Sequence, residues 1–161
     1  VYTPNSGAAL QRLDYRVGQW DRRFHARVDR VRYQCGHAIV GGDLNVAVHD
    51  IDIYNPSEAR TQKQAGTTPR ERASMRRMLE AEDGADVEAL VDAFRHCFPD
   101  AAGQYTYWSQ RARNRPRNRG LRLDYFLLSQ RLLESAAHAD IQHLHRLTGS
   151  DHCPVKLSLF H

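Results

Sequence analysis

An acid and an imidazole stand next to each other near the end of the chain, in the segment Gly-Ser-Asp-His-Cys-Pro at residues 149–154. The segment leads into the last apolar run, residues 155–160, so we expect it to open a strand. The carboxylate of Asp151 can bind a hard cation through oxygen, and His152 can move a proton near neutral pH. An ordinary strand-entry turn is the alternative, because Ser and Asp are common in turns. Other polar groups must join this pair before it indicates catalysis.

A second polar pair follows a short apolar strand at residues 37–40. Asp43 and Asn45 flank Leu44 directly after Gly41-Gly42, and their alternation puts both polar side chains on one face. A carboxylate beside an amide suits water activation and phosphate binding, whereas an Asx-type turn is the structural alternative. The double glycine permits close backbone approach, which favours the functional interpretation.

A third acid, Asp124, lies between Leu123 and Tyr125 inside an apolar strand predicted over residues 121–128. A carboxylate in such a strand is costly to bury unless it is paired. His152 is the candidate partner, so the sequence predicts that Asp124 and His152 lie in contact.

Residues 111–122 contain six arginines and no acid, and their Asn, Pro and Gly content predicts a loop. The six are Arg111, Arg113, Arg115, Arg117, Arg119 and Arg122. Cations this dense repel one another unless an anion lies near, which favours nucleic-acid contact over a solvated loop. An aromatic strand is predicted just before them, over residues 105–109, and its Tyr107 and Trp108 are candidates to stack on or wedge beside a base.

Helices are predicted where the apolar spacing becomes three and four. From Gln11 an apolar stripe runs through Leu13, Val17, Trp20, Phe24, Val28 and Val31. The opposite face is rich in arginine, and a solvated face explains these residues at least as well as phosphate contact does: Arg12, Arg16, Arg22, Arg23, Arg27 and Arg30. Thr68-Pro69-Arg70-Glu71 predicts a capped helix start and a helix to about Leu79. We also predict a surface turn over residues 80–88, a short helix capped by Ser129, and a strand over residues 141–147.

Composition limits the class of protein. The chain has 161 residues, 41% apolar and 26% charged, which indicates one globular domain. The net charge of +4 favours a polyanionic partner, though weakly. Its three separated cysteines form neither a disulfide framework nor a zinc pattern, as expected of an intracellular protein with reduced thiols. No segment resembles a membrane span or a signal peptide, so no membrane partner is expected.

Five blocks together resemble the exonuclease III class of apurinic/apyrimidinic (AP) endonucleases, in the endonuclease/exonuclease/phosphatase superfamily. They are Tyr2-Thr3-Pro4-Asn5, Gly42-Asp43-Leu44-Asn45, Tyr107-Trp108, Arg122-Leu123-Asp124-Tyr125-Phe126 and Gly149-Ser150-Asp151-His152-Cys153-Pro154. The blocks come in the family's order and span nearly the whole chain. Asp-x-Asn and Ser-Asp-His are shared across the superfamily, whereas Asn55-Pro56, Thr68-Pro69-x-Glu71-Arg72 and Arg122-Leu123-Asp124-Tyr125 favour the AP endonuclease branch.

The resemblance implies a four-layered α/β sandwich of two mixed β-sheets flanked by helices. Residues 1–161 would be the C-terminal part of a single catalytic domain. The family's first portion, with an Asn and a metal-binding Glu, has no counterpart here, and Val1-Tyr2-Thr3 reads like the end of a strand. We therefore expect that portion to be missing or to lie on a second chain.

The implied reaction is Mg²⁺-dependent hydrolysis of the phosphodiester 5′ to an abasic site in double-stranded DNA, with Mn²⁺ as an alternative metal. A 3′-5′ exonuclease or 3′-phosphodiesterase activity accompanies it in the family. The setting would be base-excision repair inside the cell, in the nucleus if the source is eukaryotic. Another superfamily phosphodiesterase or phosphatase, and a non-catalytic fragment that binds DNA lesions, are the alternatives.

The resemblance also implies a role for each site residue. Asp43 would orient or deprotonate the attacking water, and Asn45 would fix Asp43 and the scissile phosphate. His152 would donate a hydrogen bond to a phosphate oxygen, Asp124 would orient His152, and Tyr2 would contact the phosphate through its hydroxyl. Asp151 would serve the metal together with the missing Glu, and Asp43 and Asn45 are further candidates for metal binding.

The remaining implied positions contact the substrate away from the reacting bond. The pocket for a flipped abasic sugar would be lined by Tyr107, Leu121 and Leu123, where the family often has Trp in place of Leu121. The DNA contacts would come from Asn5, Asn55, Trp108 and Arg111. Ala8 stands where some relatives carry an inserting Arg, so that side of the DNA clamp is expected to differ.

Overall fold

A computed structural model describes residues 1–80, 88–134, 136–143 and 149–160 of the chain. The helices are α1 (Leu13–Tyr15), α2 (Arg22–Cys35), α3 (Pro69–Leu79) and α4 (Ala93–Cys97), with a π-helical segment, Arg16–Asp21, joining α1 to α2. The strands are β1 (Ile39–Asp43), β2 (Leu90–Asp92), β3 (Asp124–Ser129), β4 (Ala136–Ile141) and β5 (Val155–Leu159). Short 3₁₀ turns occupy Asp50–Asp52, Thr61–Lys63, Arg115–Arg117 and Gln130–Leu132.

Two antiparallel sheets form the centre of the structure. β3 lies between β1 and β2 in a three-stranded sheet, and β4 pairs with β5 in a second sheet. Leu128 of β3 packs in one core cluster with Ala139 and Ile141 of β4. The only parallel pairing in the described part of the chain is an isolated bridge between Tyr2 and Asp43. The α/β class is confirmed, although the mixed pairing expected of both sheets is confined to that bridge.

The first helical stretch differs from the single amphipathic helix that the spacing predicts. The π-helical turns add residues to each turn and so shift the register of the apolar stripe. Arg16, on the face opposite the apolar stripe, is buried at the start of this segment, and its Nη2 donates to the backbone oxygen of Leu44 at 2.8 Å. Its Nε also lies 3.2 Å from Asp21 Oδ1. The interpretation as a solvated face was therefore wrong for Arg16.

The predicted strand at residues 105–109 is not a regular strand. Tyr107 makes isolated bridges to Leu121 and His152, and Thr106 Oγ1 accepts hydrogen bonds from the backbone of Leu123 and Asp124. Side-chain bonds thus replace part of the ladder, and β3 begins three residues later than predicted, at Asp124. The predicted strand 141–147 is described only to residue 143, and most of the predicted turn over 80–88 lies outside the described residues.

The predicted start of α3 is confirmed. Thr68 Oγ1 donates to Glu71 Oε2 at 2.6 Å and accepts from the Glu71 backbone, while the Thr68 backbone donates to the same carboxylate. Ser6 Oγ donates to the other carboxylate oxygen of Glu71 at 2.5 Å. The cap therefore also ties the loop around residue 6 to α3. Among the helices of the described residues, none has the length and apolar character needed to span a membrane.

Candidate active site

Two carboxylates face each other because of the strand register. Asp43 is the last residue of β1, Asp124 is the first of β3, and the two are direct partners in the antiparallel pair. Burial raises the pKa of Asp43, and the negative charge of Asp124 raises it further, although the Asn45 backbone N–H opposes the shift. An elevated pKa makes Asp43 a stronger proton acceptor than an ordinary surface carboxylate.

The imidazole of His152 joins this pair. Its Nδ1 lies 2.8 Å from Asp124 Oδ2, which is the pairing that the sequence predicted. Backbone hydrogen bonds on either side of His152 hold it in place: Trp108 N donates to the oxygen of Asp151 and Cys153 N to that of Thr106. Nδ1 is committed to Asp124, so Nε2 is the ring nitrogen left to meet a substrate.

Asn45 is held by four hydrogen bonds in a left-handed turn, with φ of 49°. Its backbone N–H and Nδ2 donate to the two oxygens of Asp43 at 2.8 and 2.9 Å, and Nδ2 also donates to the Thr3 oxygen. Its Oδ1 accepts from Asn5 Nδ2 at 2.9 Å. The structure thus contains the Asx-type turn weighed from sequence, and within that turn Asn45 fixes the Asp43 carboxylate.

The double glycine lets another segment approach β1. At Gly42 a Cβ would overlap the backbone of Val1, and Thr3 N donates to Asp43 O at 2.8 Å. The parallel bridge beside Asp43 leaves the Tyr2 side chain 65% exposed. Tyr2 therefore stands at the mouth of the same site.

These groups open into one groove of about 990 Å³. Of the residues expected at the reacting bond, in the sugar pocket and at the metal, all but Asp124 line it: Tyr2, Asp43, Asn45, Tyr107, Leu121, Leu123, Asp151 and His152. Asp124 is joined to the groove through its hydrogen bond with His152. Asn5 and Asn55 also line it, as do four cations, Arg12, Arg60, Arg117 and Arg119. The Arg119 guanidinium lies over the Tyr54 ring, 5.3 Å from its centroid.

Three expected nucleic-acid contacts are placed elsewhere. Trp108 is only 4% exposed, with its Nε1 donating to Asn118 Oδ1 and the Arg115 guanidinium over its ring, so little of the ring is open to a base. Arg122 is fully buried and does not belong to the exposed arginine loop. Arg111 is exposed, but it does not line the groove.

One residue and one contact were not found from the sequence. Thr106 is buried, and its hydroxyl fixes the backbone of Asp124, yet a threonine in a β-prone aromatic run gives no signal of this role. Tyr54 and Arg119 come together only in the folded chain. The sequence shows a cation at residue 119 and an aromatic ring at residue 54, but it does not show that they are in contact.

The oxygen donors at this site fit a hard cation only in part. Asp151 and Asp43 both line the groove and offer carboxylate oxygens, the ligand type that Mg²⁺ prefers. Within the described ranges, however, no three His, Cys, Asp or Glu side chains cluster closely enough to hold a metal. These residues can therefore supply part of a magnesium site.

Comparison with known proteins identifies the family of the chain. Residues 10–152 match the Endonuclease/Exonuclease/phosphatase family. An exodeoxyribonuclease of Bacillus subtilis (strain 168) is 43% identical over 157 residues, which are 98% of this chain and 57% of that protein. The DNA repair nuclease APEX1 of Danio rerio is 41% identical over 164 residues, which are 99% of this chain and 47% of that protein.

Solved structures show the same fold. The crystal structure of the AP endonuclease LMAP from Leishmania major superposes with a TM-score of 0.86 at 36% identity, over 100% of this chain and 49% of that one. The chain belongs to the Endonuclease/Exonuclease/phosphatase family and has the α/β fold of its AP endonucleases. It spans about half the length of the relatives it matches.

The imidazole of His152 should titrate above its ordinary range in metal-free protein. Burial lowers its pKa, but the hydrogen bond and charge of Asp124 and the charges of Asp43 and Asp151 outweigh burial and raise it. The stability this contributes is full below about pH 6.5 and is lost as the pH rises through the raised pKa. NMR titration of the ring protons should show this pKa, and Asp124→Asn should lower it. An unchanged titration in Asp124→Asn would mean that the 2.8 Å contact does not form in solution.

Proposed function

We propose that this chain, with the remainder of its domain, is an AP endonuclease that hydrolyses the DNA phosphodiester 5′ to an abasic site. The observation that carries the proposal is the meeting of Asp43, Asn45, Asp124 and His152 at one end of a groove with an apolar wall. Relatives named as AP endonucleases and as an exodeoxyribonuclease support DNA as the substrate. The remainder of the domain would lie on the same polypeptide or on a second chain.

Asp43 is the group best suited to activate water. Its raised pKa brings it toward the range in which a carboxylate accepts a proton near neutral pH. Asn45 donates to both of its oxygens through one backbone and one side-chain N–H, so the carboxylate has a fixed orientation. Asn45 is only 5% exposed and its oxygen already accepts from Asn5, so we assign it to holding Asp43 in preference to binding the metal.

Charge that develops on the phosphate would be met by His152 and Tyr2. With Nδ1 bound to Asp124, the imidazole can donate from Nε2 to a phosphate oxygen. The raised pKa of His152 favours the protonated, donating form, because the nearby carboxylates outweigh the effect of burial. Tyr2 would add a hydroxyl donor from the strand bridged to Asp43.

Mg²⁺, with Mn²⁺ as an alternative, would be held by Asp151 together with a ligand from the rest of the domain. When bound it would polarise the phosphate and stabilise the leaving oxygen. The chain's own part in this is to offer carboxylates at the groove, and Mg²⁺ commonly keeps several waters, so few protein ligands suffice.

The apolar wall would receive the flipped abasic sugar. Leu123 is buried while Tyr107 and Leu121 are partly exposed, and the three pack in one cluster that faces the groove. Flipping a nucleotide that has no base costs little stacking energy, which favours such a lesion over intact DNA. Asn5, Asn55 and Arg111 would contact the DNA around it. The protein would work in the compartment that holds its DNA, which is the nucleus if the source is eukaryotic.

A 3′-5′ exonuclease or 3′-phosphodiesterase activity would use the same bond-cleaving groups at a strand end. The identity of 43% to an exodeoxyribonuclease supports including it. The balance between the two activities would depend on how the groove holds the DNA on either side of the bond.

Incision assays on the complete domain should show Mg²⁺-dependent cutting of a duplex that carries one abasic-site analogue. Asp43→Asn should reduce the rate by at least about 10³-fold, because it removes the water-activating group while keeping the side chain's size. Asp50→Asn is the matched control, since Asp50 pairs with Arg72 on the surface. Wild-type rates in Asp43→Asn, or preference for an intact duplex or a phosphoinositide, would refute the proposal.

The rim cations should contribute to DNA binding through phosphate contacts. Arg119→Gln should lower the slope of log affinity against log salt by about one unit and weaken binding similarly for all sequences. Affinity for an abasic duplex in EDTA, measured over a range of salt, gives the slope. Arg30→Gln, on the exposed face of α2, should leave it unchanged. Equal slopes for wild type and Arg119→Gln would place Arg119 outside the DNA interface.

A further inference from the structure

Four charged residues form a buried cluster beside the groove: Arg122, Asp52, Asp92 and Arg95. Arg122 Nε and Nη2 donate to the two oxygens of Asp52 at 2.8 and 3.1 Å, and Nη2 also donates to Asp92 Oδ2 at 2.6 Å. Arg95 Nη2 donates to the same Asp52 carboxylate at 2.6 Å. Arg122 and Asp52 are both fully buried, so this charge cluster belongs to the interior.

The arginines of the cluster hold the Asp52 carboxylate in its ionised form. Burial alone would raise the pKa of Asp52, but the charges and hydrogen bonds of Arg122 and Arg95 outweigh it and lower that pKa. Taking such ions out of water is expensive, and apolar residues of similar size often give equal or greater stability at such positions. Arg122 Nη1 has no hydrogen-bond partner within the described residues, which adds to the cost. Stability alone is therefore a poor explanation for the cluster.

The cluster is attached both to the groove wall and to β3. Arg122 lies between the wall residues Leu121 and Leu123, and its backbone N–H donates to the oxygen of Asp52 at 3.0 Å. Asp92 ends β2, opposite Leu127 of β3, and caps α4 through the backbone N–H groups of Phe94 and Arg95. The cluster thus joins the wall of the groove to the strand that carries Asp124.

A further contact connects the cluster to the segment that carries Asp43 and Asn45. The Arg122 guanidinium lies over the Tyr125 ring, 4.3 Å from its centroid. The Tyr125 hydroxyl donates to the backbone oxygens of Val46 at 2.7 Å and Arg122 at 3.0 Å. Val46 follows Asn45 directly, and Tyr125 follows Asp124 directly. One buried arginine therefore contacts the ring that fixes the two catalytic segments relative to each other.

We propose that Arg122 is a positioning residue for the reaction: through Asp52, Asp92 and Tyr125 it sets the separation of Asp43 and Asn45 from Asp124 and His152. The inference rests on the function proposed above. Arg122 touches no substrate, and its effect is on where the reacting groups stand. A displacement of about 1 Å in such groups can cost about 10²-fold in rate.

The test compares Arg122→Met and Arg122→Lys with wild type in the complete domain, using kcat and KM for incision of an abasic-site duplex. Arg122→Met should lower kcat by about 30- to 100-fold and change KM by less than about threefold, because the groove's exposed contacts remain. Arg122→Lys keeps the charge but loses the bidentate contact with Asp52, so its kcat should lie between those of wild type and Arg122→Met. Met78→Ala, a buried change in α3 outside the cluster, is the control for lost stability.

The outcomes separate positioning from simple destabilisation. Met78→Ala should lower the melting temperature about as much as Arg122→Met does, yet keep kcat within about threefold of wild type. Both variants are assayed at a temperature at which they are folded. Equal kcat losses in Met78→Ala and Arg122→Met would overturn the proposal. If Arg122→Met does not fold, Asp92→Asn takes its place, since Asn retains the helix cap. It should lower kcat about tenfold, and a wild-type kcat would overturn the proposal.

A crystallographic comparison keeps this inference distinct from the proposed function. In Arg122→Met, or in Asp92→Asn, the Asp124 and His152 side chains should shift relative to Asp43 by more than about 0.5 Å. Unshifted side chains would overturn positioning even if wild-type protein cuts abasic DNA. Shifted side chains in a protein that does not cut such DNA would leave positioning intact and refute the substrate.

Discussion

The antiparallel register of β1 and β3 is the constraint on which the site depends. It sets Asp43 directly opposite Asp124, at the end of the sheet where β1 ends and β3 begins. A slip of one residue would send one carboxylate to the other face of the sheet. The apolar alternation behind the pair, with Val40 and Leu127 in the core, holds that register because a slip would also expose these side chains.

Beyond the register, side-chain to backbone hydrogen bonds immobilise the irregular segments that carry the other groups. Arg16 holds the oxygen of Leu44, Tyr125 holds that of Val46, and Asn45 between them is bonded through its own side chain. Thr106 fixes the start of β3 from the opposite side. These hydrogen bonds require polar groups to be buried and Asn45 to adopt a left-handed backbone. In return they hold the site's side chains near one geometry before a substrate binds.

The sequence predicted features that local spacing determines. The cap at Thr68 and Glu71, the Asp43 and Asn45 pair, and the partnership of Asp124 with His152 each follow from side-chain chemistry at short spacing or from the cost of burying an unpaired acid. It failed where side-chain direction depends on irregular backbone. Arg16 is buried where the helix becomes π-helical, and Arg122 belongs to the core although the arginines that precede it lie in an exposed loop. Trp108, next to the bridged Tyr107 in a segment that is not a regular strand, is buried against Asn118 and Arg115.

The most direct test of the central claim is a double-mutant cycle on Asp124→Asn and His152→Gln, measured as kcat for incision of an abasic-site duplex by the complete domain. If the two side chains act as one unit on one phosphate, the double variant should lose no more activity than the worse single variant. Losses that multiply, so that the double variant falls by the product of the two single effects, would show that the acid and the imidazole act separately and would contradict the account.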